Sequence, residues 1–274
     1  MMKKFLALYV FAILAVALGT TTSKAGTIAH WTFEEGVPGS VASGTETITD
    51  IVGGNHGTAL NGPHYVDGAI SGFGTKGLRL DGNSHTVRVA SGSTGALALS
   101  NDFTIEIGMI ANRPNSTGFG VFYGDSQGGR DPYFISFDNN GSVTFRIYGG
   151  ASGTDTLTTA AGLINYGESA HIAAVFDLDE ANGTDNMMNI YVDSLLVASL
   201  NAGDTTPFYG DTVSDFWIGS VHGAGRNFSG ILTDVRISDM ALTGEDMFPV
   251  PEPGAIAIFA VGLFLLGISR RRKA

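Results

Sequence analysis

A two-residue hydrophobic beat, in short runs that glycine, asparagine and aspartate keep interrupting, constrains this chain more than any other feature. In "DFTIEIGMI", Phe103, Ile105, Ile107 and Met109 fall on one side, and Thr104, Glu106 and Gly108 on the other. Side chains alternate across an extended strand, so this beat predicts β-structure rather than a helix, whose apolar stripe recurs every three or four residues. "YFISFDNNGSVTFRIYG" predicts a hairpin turning at Asn140-Gly141, with Val143, Phe145 and Ile147 inward. "HIAAVFD" and "MNIYVDSLLVASL" predict three more strands, the last two joined at Asp193-Ser194. "GILTDVRIS" predicts a face of Ile231, Thr233, Val235 and Ile237, with Asp234 and Arg236 opposite. About eleven or twelve such strands can be counted, with no amphipathic helix of useful length, no internal repeat and no linker before about Thr243. The pattern predicts a single all-β domain, an antiparallel sandwich or barrel.

The two ends follow other rules. Lys3 and Lys4 precede an apolar run from Phe5 to Leu18, and Ser23 and Ala25 supply small residues before a cut. That is the layout of a secretory signal peptide over residues 1–25, cleaved after Ala25 to leave Gly26 first. At the other end, Pro251, Glu252 and Pro253 lead into 16 uncharged residues, Gly254 to Ser269, and then into Arg270, Arg271, Arg272 and Lys273. As a helix the run would reach roughly 24 Å, short of a bilayer core of about 30 Å, so it is marginal as a permanent span. The cations belong on the cytoplasmic side, which puts everything before Pro251 outside.

These residues resemble the PEP-CTERM sorting pattern, a Pro-Glu-Pro triplet, short transmembrane helix and Arg-rich tail, here over 250–274. The resemblance implies export by the secretion machinery, transient anchoring, and removal of the tail by an exosortase-type processing enzyme. The product would then stay at the cell surface or in the extracellular matrix.

Charge narrows the partners. Seven of the 15 basic residues lie in the two end segments, whereas all 26 acidic ones lie between Glu34 and Glu252. Eight cations against 26 acids leave the middle near −18, which argues against nucleic acid, since phosphate binding needs clustered cations. The chain has no cysteine, so thiol catalysis, thiolate metal sites and disulfides are all excluded.

Seven phrases in order, "IAHWTFEEG", "DIVGGNHGTALNG", "GLRLDGNSHTVRV", "DFTIEIGMI", "HIAAVFD", "NIYVDSLLVAS" and "RNFSGILTDVRISDMALTGEDM", resemble the concanavalin A-like, laminin-G-type (LamG) jelly roll over 26–248. The middle strand departs from the family at Gly108, where Trp is usual, and Ser169-Ala170-His171 replaces a Trp-His-His-like opening. The resemblance implies that Trp31 and Trp217 are core residues.

Enzymes share this fold, and glycoside cleavage needs two facing carboxylates. The laminarinase-like branch sets them as Glu-x-Asp-x-x-Glu; here only Glu106 fits, with Gly108 and Ala111 at the other positions. No catalytic residue is therefore assigned, and Glu106 is expected to be a solvated strand residue. "DLDEANGTDN" fits an EF-hand calcium loop at Asp177 and Asp179 but fails at Ala181 and Asn182. The LamG resemblance implies a structural Ca2+ where the first loop meets the closing strand. Its ligands would be Asp50, Asn55, the backbone near Gly53, Gly54 and His56, and Asp234. Tyr148 projects outward by alternation and is the candidate sugar-stacking residue. The function expected is a non-catalytic module binding an extracellular polysaccharide or matrix. The alternatives are a structural matrix protein and a polysaccharide hydrolase or lyase.

Overall fold

The computed structural model describes residues 26–68, 74–90, 95–114, 117–124, 131–179, 181, 183–209, 215–221 and 226–248. Ala25, with the signal segment, and Pro251, Glu252, Pro253, Arg270, Arg271 and Arg272, with the sorting segment, lie outside the described residues.

Among the described residues, sixteen strands are shared between two sheets. Those of the first half are β1 (Thr27–Trp31), β2 (Gly44–Ile48), β3 (Gly57–Leu60), β4 (His64–Asp67), β5 (Lys76–Asp81), β6 (Thr86–Val89), β7 (Phe103–Ala111) and β8 (Thr117–Gly124). The rest are β9 (Tyr133–Asp138), β10 (Val143–Tyr148), β11 (Thr154–Thr158), β12 (Ser169–Asp177), β13 (Asn186–Val192), β14 (Leu195–Gly203), β15 (Asp215–Ile218) and β16 (Ser229–Ser238). The first sheet runs β14-β13-β12-β7-β16-β5-β4, with β1 also on β16; the second runs β11-β10-β9-β8-β15-β6-β3-β2. Neighbouring strands pair antiparallel, as in a β-sandwich.

The beat read from the sequence builds the core between the sheets. Ile105, Ile107 and Met109 of β7 and Ile172, Ala174 and Phe176 of β12 meet Val121, Ile135, Phe145 and Phe216 of the facing sheet. Trp31 stacks on Phe216 at 5.4 Å, and Phe103 touches Tyr133, Phe145 and Phe176. Both expected hairpins form. Gly141 takes φ 80 between β9 and β10, and Asp193 and Ser194 take φ 50 and 66 between β13 and β14. Two positive φ values in a two-residue loop mark a type I′ turn, whose twist suits a hairpin.

Two expectations about faces need correction. In β16 the register shifts between Leu232 and Asp234, a β-bulge. The core face is therefore Leu232, Val235 and Ile237, and Ile231 joins Asp234 and Arg236 on the outer side. Trp217 is buried as expected, at 7 % exposure, in a small core cluster with Phe119, Phe122 and Phe134 on the outer face of the second sheet. Glu106 is not solvated at all, with 0 % exposure. Residues 239–248 cross the outer face of the first sheet as a strap, whose Leu242 and Met247 pack on Ala173 and Val175 of β12.

Candidate functional site

The expected calcium ligands fall in two places. Asp50, Asn55 and His56 share the loop between β2 and β3, where Asp50 organises the turn. Its Oδ1 accepts the backbone N–H groups of His30, Val52 and Gly53, and its Oδ2 accepts the backbone and side-chain N–H of Asn55. Burial pushes the Asp50 carboxyl up, but these N–H donors more than offset it and leave the group below its ordinary range. The Asn55 carbonyl accepts from the Trp31 indole at 2.9 Å, and His56 Nδ1 accepts from the Asp50 N–H at 3.2 Å. Asp234 lies beyond His30, whose Nε2 is 2.7 Å from its Oδ1. Calcium needs six to eight oxygen ligands, whereas Asp50 is already ringed by N–H donors. As folded, these residues do not fit a calcium cage. No group of three or more His, Cys, Asp or Glu side chains suited to a metal occurs among the described residues.

Glu106 belongs to a buried ion cluster under the strap. Arg236, its cross-strand partner, donates from Nε to Glu106 Oε2 at 2.5 Å, and its Nη2 completes the ion pair with the same oxygen. His171 Nε2 lies 3.3 Å from Oε1, which also accepts the Phe248 N–H at 2.8 Å. The Phe248 ring covers the cluster, 4.0 Å from the Arg236 guanidinium carbon and 5.3 Å from the His30 ring. Burial pushes the Glu106 carboxyl up, but the His171 hydrogen bond and the Arg236 charge outweigh it and hold the group ionised. Burial keeps the Asp234 carboxyl above its ordinary range, against the pull of His30. Two carboxyls pushed apart can mark an acid–base pair. Both are buried, Glu106 beneath the docked Phe248 and Asp234 behind His30, so as folded neither lies open to a substrate.

Open chemistry lies on the other end of the same face. His64 of β4, Arg79 of β5, Ile231 of β16 and Ile110 of β7 stand opposite one another in one cross-strand row. Two residues along, Asp81 faces Ser229, and Asn112 bonds Ser229 through both backbone and side chain. With His85 they line a groove of about 410 Å³. A second groove of about 280 Å³ shares Asp81 and Ser229 and adds Arg113 and Arg226. Asp81 accepts the N–H groups of Asn83, Ser84 and His85. Despite the pull of partial burial, these lower its pKa to about 2. The apolar sides of Ile110 and Ile231 between hydroxyl, amide and charged groups match a sugar ring, which is itself apolar on its faces and polar at its rim. Sequence reasoning missed this groove, because its residues come from four strands far apart in the chain.

Tyr148 ends β10 on the outer face of the second sheet, half-buried as alternation requires. Phe208, 51 % exposed, meets it edge-on at 6.4 Å, and the Phe208 N–H donates to the Tyr148 carbonyl at 2.9 Å. Tyr148 is not brought together with the groove or with the Asp50 loop in any contact among the described residues.

Residues 81–247 match the family model of the concanavalin A-like lectin/glucanases superfamily, and residues 249–273 that of the PEP-CTERM protein-sorting motif. The chain belongs to the concanavalin A-like lectin/glucanases superfamily and carries a PEP-CTERM sorting motif directly after its folded domain. No curated protein sequence matches it. Among solved structures it is similar to domain 4 of AbnA, a GH43 extracellular arabinanase from Geobacillus stearothermophilus, in complex with arabinotriose. That match has 20 % identity and a TM-score of 0.57, covering 83 % of this chain and 99 % of that one. It is also similar to CBM40 of the Ruminococcus gnavus IT-sialidase bound to alpha2,3 sialyllactose, with 16 % identity and a TM-score of 0.52 over 64 % of this chain and 96 % of that one. Trypanosoma rangeli sialidase matches at 18 % identity and a TM-score of 0.52, over 81 % of this chain but 32 % of its own. At such identities the likeness is one of fold.

Proposed function

We propose that this protein is an exported, non-catalytic glycan-binding module, delivered by the secretion machinery and released from its anchor by an exosortase-type enzyme. The observation that carries the binding reading is the open groove of His64, Arg79, Asp81 and Asn112 flanked by Ile110 and Ile231. The family and two neighbouring structures solved with bound oligosaccharides support it. Tyr148, with the exposed Phe208, offers a second aromatic contact on the opposite sheet. The non-catalytic part rests on the burial of Glu106 and Asp234, which leaves no open pair of carboxylates in the groove.

The test of binding is a glycan array probed with the full-length chain in detergent, beside His64→Ala, Asn112→Ala and Tyr148→Ala. Retention weakened by the groove substitutions without loss of melting temperature is the expected result. Silence across the array would remove the reading in favour of a structural matrix protein. The sorting reading is tested by intact mass of the protein exported by its own host. The chain should begin at Gly26 and lack Arg270 to Lys273, and a surface population that keeps them would contradict it.

A further inference from the structure

Where the few cations of this domain end up points to the ligand. Eight lysines and arginines lie between Gly26 and Phe248, against a large excess of acids. Arg236 is locked to Glu106, Arg88 to Asp215 at 2.6 Å, and Lys76 Nζ to the Glu34 carbonyl at 2.7 Å. Arg146 lies over Phe134 and makes further contacts, and Arg130 is outside the described residues. The other three, Arg79, Arg113 and Arg226, are exposed, and none makes an ion pair among the described residues. Arg113 rests near the Tyr166 ring at 5.8 Å. All three line the two adjoining grooves joined at Asp81 and Ser229.

Three unpaired guanidinium groups gathered on a domain near −18 are not a solvated average of its surface, because free arginines elsewhere would lower its charge repulsion equally well. The one carboxylate among the lining residues, Asp81, accepts three backbone N–H groups at Oδ1, while its Oδ2 lies 3.4 Å from the Ser84 hydroxyl and 3.6 Å from His85 Nε2, so the turn holds it in place. Resting on the glycan-binding reading above, we propose that the grooves select an anionic polysaccharide, with Arg79, Arg113 and Arg226 holding carboxylate or sulfate groups of successive sugars. An arginine fork matches both groups bidentately. Ile110 and Ile231 take the sugar faces, and Asn112 and Ser229 take hydroxyls. A nucleic acid would also bring anions. Its uninterrupted phosphates, however, would run from this short groove onto a surface of the same sign.

The experiment measures binding of the full-length chain in detergent to polygalacturonate, dextran, dextran sulfate and a DNA duplex, at low and high salt. Polygalacturonate, dextran sulfate or both should bind more tightly than dextran and weaken with salt. In the variant Arg79→Gln, Arg113→Gln, Arg226→Gln, that binding should fall at least about tenfold, the effect of losing charge-assisted contacts, with melting unchanged. If the triple variant melts early, Arg79→Gln with Arg79→Lys as the charge-retaining control replaces it. Neutral and anionic chains bound alike, insensitive to the arginines, would overturn anion selection and leave glycan binding standing. DNA bound as tightly as the acidic glycans would overturn it as well. No polysaccharide bound at all would sink both readings.

Discussion

In the Glu106–Arg236–His171 cluster Glu106 and His171 are fully buried and Arg236 is 9 % exposed, and that sets what it can do for stability. Removing one member of a buried ion pair leaves the other charge stranded, at about 3–5 kcal/mol. Glu106→Gln should therefore lower the melting temperature by roughly 10 °C for a domain of this size, with glycan retention intact in the folded protein. Unchanged melting would mean that water reaches the cluster. The acid limb of stability follows from the same groups. The Glu106, Asp50 and Asp81 carboxyls are held below their unfolded values, so their contribution is full above the ordinary values of 4.5 and 3.8 and is lost as pH falls through the folded ones. Asp234 acts in the opposite sense: its raised pKa favours the folded state at low pH, and that help fades as pH rises through its folded value. Glu34, whose partial burial is outweighed by the N–H groups of Lys76 and Thr75 that hold it down, adds to the first set. With four groups against one, melting temperature should fall as pH drops from about 5 to about 2. A melt that rises over that window would contradict these assignments.

At the scale of elements, the bulge in β16 is what opens the groove, since it turns Ile231 outward beside Arg79. Gly230, just before it, sits at φ 141, and a Cβ there would fall 2.2 Å from the Ile110 carbonyl oxygen of β7. Gly230→Ala should destabilise the chain by about 1–3 kcal/mol, read by thermal melting, and should weaken glycan retention by pushing β16 from β7. The β2–β3 loop gives a second test. With Asp50 saturated by N–H donors, melting in calcium and in a chelator should coincide, while Asp50→Ala should lower melting in both. A calcium-dependent rise lost in Asp50→Ala would show that the loop rearranges into an oxygen cage. The hairpins at Asn140-Gly141 and Asp193-Ser194 were legible because turn chemistry is local. The face of β16 was not, because a bulge depends on the strands beside it. The burial of Trp217 follows the LamG resemblance, but which side of the sheet it packs on was not legible, because Phe216 and Trp217 are both apolar and alternation cannot choose between them. Arg79 offered no local sign at all; only the register of β4, β5 and β16 sets it beside His64 and Ile231.

Over the whole molecule, the strap and the sorting motif adjoin in sequence: Phe248 is docked on the Glu106 cluster, and the PEP-CTERM match starts at the next residue. The sorting motif thus follows the strap directly in sequence, and the proposed glycan groove lies on the part of the face that the strap leaves open. The reading proposed for this acidic, cysteine-free domain is that it holds a matrix polysaccharide without cutting it, and the burial of Glu106 and Asp234 supports that reading. The most direct measurement puts both halves of that claim in one tube. The full-length chain is mixed with the extracellular polysaccharide of the producing organism, and retained polysaccharide and newly formed reducing ends are followed together. Saturable retention with reducing ends at the level of the protein-free blank is the expected result. Reducing ends that rise with protein concentration, or no retention at any concentration, would contradict it.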